Sequence, residues 1–177
     1  MALVPMILPM FAPLHSFDRS VALSGPVDLH EVIATGEALW PTLAPLEAVY
    51  PAFQNWYFGK VLPGLATGTR KLIVTGSLDA PIGVAIVKRE ITETKICTVW
   101  VAEDQREAGA GRELLERAIN LSGVARPLFT VPAERHEAFK PLLRRFGFVE
   151  TARIMSLYRP GVVEHVFNGV IRPALHS

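Results

Sequence analysis

Cysteine, excess charge and long apolar runs are all scarce in this sequence, and each scarcity excludes a class of protein. The 177 residues include a single cysteine, Cys97, which excludes an internal disulfide framework and a cysteine zinc cluster. A reducing, cytoplasmic location is the simplest interpretation. The formal net charge is only +1, from 18 basic and 17 acidic residues, with no block of like charge. A nucleic-acid partner is therefore not expected.

The apolar N-terminus, residues 1–14, predicts neither an export signal nor a membrane span. It lacks a basic leading segment, and Pro5, Pro9 and Pro13 would interrupt an apolar helix. Runs of about 18 or more apolar residues, which a membrane-spanning helix needs, do not occur. We expect this segment to lie extended against its own domain, or against a second copy in a homodimer.

Composition and length favour one globular domain over residues 1–177, because half the residues are apolar and a fifth are charged. No repeat, low-complexity run or linker divides the chain. The N-terminal part, residues 1–65, is predominantly helical in pattern. Asp28 has the character of an N-cap, for a helix over residues 29–39 that is expected to end before Pro41.

A second helix is predicted to begin near Pro45 or Pro51 and to run to about Leu62, and it contains a cluster of aromatic residues. The rings belong to Tyr50, Phe53, Trp56, Tyr57 and Phe58. Their spacing favours packing in the core, and one wall of a substrate pocket is the second interpretation.

Residues 70–168 alternate short strands with amphipathic helices. Strands are predicted at 71–75, 82–88, 96–101, 127–131, 149–158 and 162–167, with a weak further candidate at 19–23, and helices at 111–121 and 134–146. The brief link between the strands at 71–75 and 82–88 predicts antiparallel pairing. The expected fold is α/β of the α+β kind, with a mixed, mostly antiparallel central sheet and helices on both faces.

Cys97 is expected to be a small buried residue rather than a nucleophile. In a regular strand it alternates with Val99 and Val101 on one face. No neighbouring base is evident in the sequence to activate its thiol.

The most informative segment is the turn Arg106-Glu107-Ala108-Gly109-Ala110-Gly111, between a β-branched strand and an amphipathic helix. A helix N-terminus leaves about four backbone N–H groups without intrahelical partners and carries partial positive charge. Small residues let an anion such as a pyrophosphate approach those groups. The glycines are not followed by the Lys-Ser/Thr of a nucleotide-binding loop, and the third glycine of the dinucleotide pattern is missing.

Two motifs resemble the GNAT superfamily of acyl-CoA-dependent N-acyltransferases. Arg106-x-x-Gly109-x-Gly111, followed by Leu114-Leu115, resembles its acyl-CoA signature, and Leu142-Leu143-Arg144-Arg145-Phe146-Gly147-Phe148 resembles the corner that ends its cofactor-binding half. The resemblance covers a little over half the chain. It implies a splay between the two central strands, with residues 70–168 binding acetyl-CoA and residues 1–65 covering the acceptor site. It also implies direct attack by an amine in a ternary complex.

The cofactor contacts implied by this resemblance fall on two segments. The strand residues Val99, Trp100 and Val101 are expected to hydrogen-bond the pantetheine arm through their main chain. The pyrophosphate is expected at the loop residues Arg106, Glu107, Ala108, Gly109, Ala110, Gly111 and Arg112. The side chain of Arg112 either pairs with a phosphate or remains solvated.

The sequence departs from the family pattern at two positions that matter for catalysis. His136 occupies the place of a pantetheine-binding asparagine, and Leu143 occupies that of the tyrosine that protonates the leaving thiolate. Candidate catalytic residues are therefore Tyr158, His136 and Glu134, with Glu93 as a further carboxylate. His136 would contact the pantetheine or relay a proton. No metal site is predicted, and His15, His30 and His176 show no metal-ligand spacing.

The acceptor is expected to be an amine of a small molecule, peptide or protein, and two other functions remain open. A toxin-like enzyme acetylating aminoacyl-tRNA would need a basic face, for which Arg144, Arg145, Arg153 and Arg159 are the candidates. The absent tyrosine also fits a non-catalytic acyl-CoA sensor or partner module.

Overall fold

A single seven-stranded sheet organises the residues that the computed structural model describes, namely 21–22, 28–106 and 108–171. The strands are β1 (Val21–Ala22), β2 (Arg70–Gly76), β3 (Pro81–Arg89), β4 (Thr94–Val101), β5 (Leu128–Pro132), β6 (Glu150–Met155) and β7 (Val163–Phe167). The helices are α1 (Leu29–Leu43), α2 (Phe53–Trp56), α3 (Leu62–Thr67), α4 (Ala110–Ser122) and α5 (Ala133–Arg145). A π-helical turn, Tyr57–Val61, joins α2 to α3, and 3₁₀ turns cover Ala44–Ala48 and Glu103–Gln105.

The sheet order is β1-β2-β3-β4-β5-β7-β6, and only β4 and β5 are parallel neighbours. Their pairing is confined to Lys95 with Leu128 and Ile96 with Phe129, after which the two strands separate. The predicted fold class is confirmed, including the splay between the central strands.

Helices cover both faces of the sheet because the strands are apolar on both sides. Along β3, Val84 and Ile86 face the helical N-terminal part, while Ala85 and Val87 face α4 and α5. The first face is filled by α1 to α3, and the second by the buried leucines of α4 and α5. The sheet therefore lies between two apolar layers and packs against both. Among the described residues, no helix is both long and apolar enough to cross a membrane.

The start of α1 agrees with the prediction from the sequence, but its end does not. Asp28 is the N-cap, and its Oδ1 accepts a hydrogen bond of 3.1 Å from the backbone N–H of His30. The helix was expected to stop before Pro41 and instead runs to Leu43. Leu39 and Leu43, one turn apart on the same face, are both fully buried. Their packing stabilises the last turn despite the backbone hydrogen bond that Pro41 cannot donate.

A β-bulge overturns the face predicted for Cys97. Val87 on β3 lies opposite Ile96, whereas Ile86 lies opposite Thr98, so Cys97 is an extra residue without a partner on β3. The thiol consequently packs with the layer of α1 to α3, and Val99 packs with the opposite layer. Burial raises the pKa of the Cys97 thiol, as expected for an unreactive cysteine.

The strand predicted to reach Tyr158 ends earlier, at Met155. Ser156 has φ of +59° and its backbone N–H bonds to the carbonyl of Val162, so the chain turns there into the hairpin that leads to β7. Tyr158 therefore projects from a turn, which allows it to reach across to β4.

Candidate active site

A cleft of about 550 Å³ opens where β4 and β5 separate. One edge of β4 is hydrogen-bonded to β3, and beyond Ile96 its other edge has no strand partner among the described residues. Val99, Trp100 and Val101, the residues predicted to bind pantetheine, all line this cleft. The free main-chain groups of β4 are thus available to a bound ligand with amide groups.

The N-terminus of α4 lies at one end of the cleft. Gly109 is the N-cap with φ of +87°, a conformation that favours glycine, and no side chain caps the helix. The first intrahelical hydrogen bonds are those from Arg112 and Glu113 to the Gly109 carbonyl, at 3.0 and 3.2 Å. The N–H groups of Ala110 and Gly111 precede these bonds and have no intrahelical acceptor. This end is suited to an anion.

Gly111 lines the cleft at this point, and the protein itself does not require a glycine there. A Cβ at position 111 would meet only the Cγ2 of Val101, at an ordinary contact distance of 3.8 Å. The missing side chain therefore leaves open a space that a ligand can enter. Arg106 lines the same end and is held by its Nε, which donates to the Val101 carbonyl at 3.3 Å. Glu107, also predicted to contact the cofactor, lies outside the described residues.

The other end of the cleft holds two tyrosines and a lysine. The Nζ of Lys95 donates to the Tyr158 hydroxyl oxygen at 2.6 Å, which leaves the tyrosine proton free to be donated elsewhere. The rings of Tyr50 and Tyr158 meet edge to face, with centroids 5.8 Å apart. The aromatic residues of the N-terminal part serve both purposes considered from the sequence. Phe53 is buried in the core and also lines the cleft beside Tyr50 and Trp56.

A buried carboxyl group lies close to this end. Glu164 on β7 is 2% exposed, and its Oε2 has no hydrogen-bond partner. It lies on the sheet face covered by α1 to α3, because the adjacent His165 faces α5. Burial raises the pKa of Glu164 to about 7, against the opposing charges of Lys95 and Arg159. Burial also raises the pKa of Tyr50, and the charge of Glu164 raises it further.

The structure brings Tyr158 to the cleft but not the other two predicted catalytic residues. His136 lies outside the cleft, where its ring stacks on that of His165 with centroids 3.9 Å apart. Burial and the neighbouring His165 lower the pKa of His136. Glu134 forms an ion pair with Arg159, which also donates to the Ala48 carbonyl. The further candidate, Glu93, pairs with Lys88 at 2.9 Å.

Sequence reasoning did not single out Lys95 and assigned no catalytic role to Glu164, whereas Tyr50 belongs to the aromatic cluster that it considered as a wall of the substrate pocket. For Glu164 a signal existed, since a carboxylate stands inside the otherwise apolar strand Val163–Phe167. For Lys95 the sequence carries no comparable signal, because its contact with Tyr158 depends on the hairpin turn that carries Tyr158.

No protein-family model and no curated protein matches this chain. Solved structures do share its fold. One is a protein from Desulfovibrio desulfuricans assigned to the GNAT family of acetyltransferases, with a TM-score of 0.55 and 18% identity over 84% of this chain and 95% of that one. Another is a chimera of the spermidine N-acetyltransferase SpeG from Vibrio cholerae and hSSAT, with a TM-score of 0.54 and 16% identity over 80% and 92%. Nourseothricin acetyltransferase has a TM-score of 0.50 and 20% identity over 57% of this chain and 65% of its own. The chain has the GNAT fold.

Proposed function

We propose that this chain is an acyl-CoA-dependent N-acyltransferase that uses acetyl-CoA as co-substrate. The observation that carries the proposal is the cleft between β4 and β5, with an unpaired strand edge along one side and an uncapped helix N-terminus at one end. An acyl-CoA combines an amide-bearing arm with a pyrophosphate. The unpaired edge of β4 suits the amide-bearing arm, and the uncapped N-terminus of α4 suits the pyrophosphate.

The pantetheine arm would lie against the free edge of β4 at Val99 to Val101, as an added strand lies against a sheet. The pyrophosphate would meet the backbone N–H groups of Ala110 and Gly111, which have no intrahelical acceptor, with the space at Gly111 permitting close approach. Arg106, already fixed at this end by its bond to Val101, would add a positive charge. For Arg112 the choice between a phosphate partner and solvent stays open.

Acyl transfer requires that the acceptor nitrogen bond to the thioester carbon while the carbon–sulfur bond breaks. The nitrogen loses a proton, and the departing thiolate gains one. We assign Tyr158 as the proton donor to the thiolate. Its oxygen already accepts from Lys95, so its own O–H remains available for donation to a ligand in the cleft.

Glu164 is the group that we assign to receive the acceptor's proton through a bridging water. Glu164 does not line the cleft directly. Its burial beside Tyr50 places a carboxyl group with a pKa of about 7 near the end of the cleft that holds Tyr50, Tyr158 and Lys95, which we call the acceptor end. A general base that titrates near the working pH is effective for proton abstraction. This assignment takes the place of Glu134, whose carboxylate is held by Arg159.

The acceptor end favours an amine that carries apolar surface. Leu46, Tyr50, Phe53 and Trp56 form its wall. Two proteins of the same fold are named for spermidine and nourseothricin, so the fold serves acceptors of different kinds. A basic face for tRNA is not favoured, because Arg159 is paired near the acceptor end, and Arg144 and Arg153 line a separate depression.

The experiment combines ligand binding with turnover. Acetyl-CoA should raise the melting temperature, since a ligand that binds only the folded state stabilises it. Free thiol should then be released in the presence of pooled amines, with aromatic and aliphatic amines as separate pools. No thermal shift at saturating acetyl-CoA would contradict the proposal. A shift without thiol release from any pool would support the sensor function instead.

A further inference from the structure

A second depression, of about 270 Å³, lies on the side of the sheet covered by α5. His136 from α5 and Glu150 from β6 line it, and His165 from β7 stacks against His136. The three side chains come from three separate elements and lie next to one another. None of them has a role in the acyl-transfer site described above.

The geometry of this group is that of potential metal ligands. The two imidazole rings are nearly parallel, with an interplanar angle of 6° and centroids 3.9 Å apart. The Oε1 of Glu150 is 3.3 Å from Nδ1 of His165, and its Oε2 is 3.9 Å from Nε2 of His136. One ligand atom from each residue lies within 4.8 Å of the other two.

The Nδ1 atom of His165 is poorly satisfied within this group, although Oε1 of Glu150 lies 3.3 Å away. The His165 side chain is only 9% exposed, and its Nδ1 has no hydrogen-bond partner of acceptable geometry. A buried polar atom without a partner costs free energy, so such atoms are uncommon in folded proteins. A cation bound between this nitrogen and Glu150 would remove that cost.

We propose that His136, Glu150 and His165 bind a divalent transition-metal ion of the Zn²⁺ class. Two imidazoles and one carboxylate are a ligand set that zinc accepts, and the open depression leaves a fourth position for water. Zinc–nitrogen distances of about 2.0–2.1 Å require ligand atoms about 3.4 Å apart in a tetrahedron. The nitrogen lone pairs lie in the ring planes, so the histidines would have to turn out of their parallel stack about the soft χ2 torsion to reach this geometry.

Three cationic side chains also line the depression, those of Lys140, Arg144 and Arg153, and the two arginines are exposed to solvent, which screens their charge. Arg153 forms an ion pair with Oε1 of Glu150, but its side chain is 65% exposed and can turn into solvent. The ammonium group of Lys140 is held by Glu137 at 3.1 Å. Arg153 and His165 contact Oε1 of Glu150, and Oε2, which lies 3.9 Å from Nε2 of His136, is the oxygen that would meet the ion. A bound ion would link α5 to β6 and β7 and would stabilise this corner of the fold.

The test uses the untagged full chain after treatment with a chelator. Zn²⁺ binding is measured by calorimetry, and Co²⁺ serves as a spectroscopic probe because four-coordinate Co²⁺ absorbs visible light. Glu150→Gln and His136→Asn remove ligands from different elements, so misfolding of one variant leaves the other informative. His30→Ala is the matched control, since His30 is exposed on α1. Circular dichroism verifies that each variant is folded.

We expect one equivalent of Zn²⁺ to bind the wild type and His30→Ala equally. Affinity should fall roughly tenfold or more in Glu150→Gln and in His136→Asn. The tetrahedral Co²⁺ absorption should disappear in the same two variants. Absence of Zn²⁺ binding by the wild type would overturn the proposal, as would equal binding by wild type and both variants. Because acetyl-CoA takes no part in this experiment, its failure would leave the acyltransferase proposal unaffected.

Discussion

Replacing Glu164 by glutamine is expected to remove much of the pH dependence of stability between about pH 5 and pH 8. The folded protein holds the Glu164 proton up to about pH 7, because burial disfavours the charged form, whereas the unfolded chain releases it near its ordinary value of 4.5. The folded-state pKa is therefore raised. The stability that this group contributes is fully present below about pH 4.5 and is lost progressively as the pH rises to about 7.

The magnitude follows from the difference between the two pKa values. At about 1.4 kcal/mol per pKa unit, a rise in the pKa from 4.5 to about 7 corresponds to a loss of at most about 3.5 kcal/mol. Solvent screening of the charged carboxylate reduces this figure. We therefore expect about 1–2 kcal/mol in the free energy of unfolding.

Urea unfolding of the wild type and of Glu164→Gln at about pH 5 and at about pH 8 measures this contribution of Glu164 to the free energy of unfolding. The change between the two pH values in the wild type, minus the same change in the variant, isolates Glu164 from every other titrating group. Glu116→Gln on the exposed face of α4 is the matched control and should keep the wild-type pH dependence. If Glu164→Gln and the wild type lose the same stability between the two pH values, the reasoning about the buried carboxyl is refuted.

Three further predictions concern activity and packing. Tyr158→Phe should lower kcat about 100-fold in steady-state kinetics while leaving the KM for acetyl-CoA unchanged, because it removes only the proton donor. A variant with the wild-type kcat would exclude Tyr158 as the acid. Glu164→Gln should lower kcat/KM and abolish its rise around pH 7, and an unchanged pH profile would exclude Glu164 as the proton acceptor. Tyr57→Phe should raise the free energy of unfolding by about 1 kcal/mol in urea, because the buried hydroxyl of Tyr57 has no hydrogen-bond partner; a loss of stability would show that this hydroxyl has one.

Much of the fold could be predicted because its signals are local. The β-branched strands, the helix of Leu114 and Leu115, and the small residues before it are all readable from neighbouring positions. The resemblance to a known signature then supplied the splay between the central strands, which no local pattern reveals.

The errors arise where tertiary packing overrides a local rule. Pro41 is a helix breaker in isolation, but the buried pair Leu39 and Leu43 carries α1 past it. The bulge at Cys97 reverses the face of one residue, because a strand has a period of two and one extra residue exchanges its sides.

The candidate site was harder to predict than the fold because it depends on long-range contacts. Lys95 and Tyr158 are 63 positions apart, and they meet only because the chain turns at Ser156 rather than continuing as a strand. His136 and His165 likewise come together only through the packing of α5 on β7. The spacing of these residues in the sequence does not predict either contact.

The most direct test of the central claim is the affinity for acetyl-CoA of a matched pair of glycine variants. Gly111→Glu adds bulk and negative charge at the proposed pyrophosphate position, where a Cβ is otherwise tolerated. Gly59→Glu makes the same change at an exposed site where a Cβ meets nothing within 4 Å. Calorimetry should show wild-type affinity for Gly59→Glu and a loss of about 100-fold or more for Gly111→Glu, with the melting temperatures of the unliganded proteins unchanged. Equal affinity of Gly111→Glu and the wild type would contradict the placement of acetyl-CoA in this cleft.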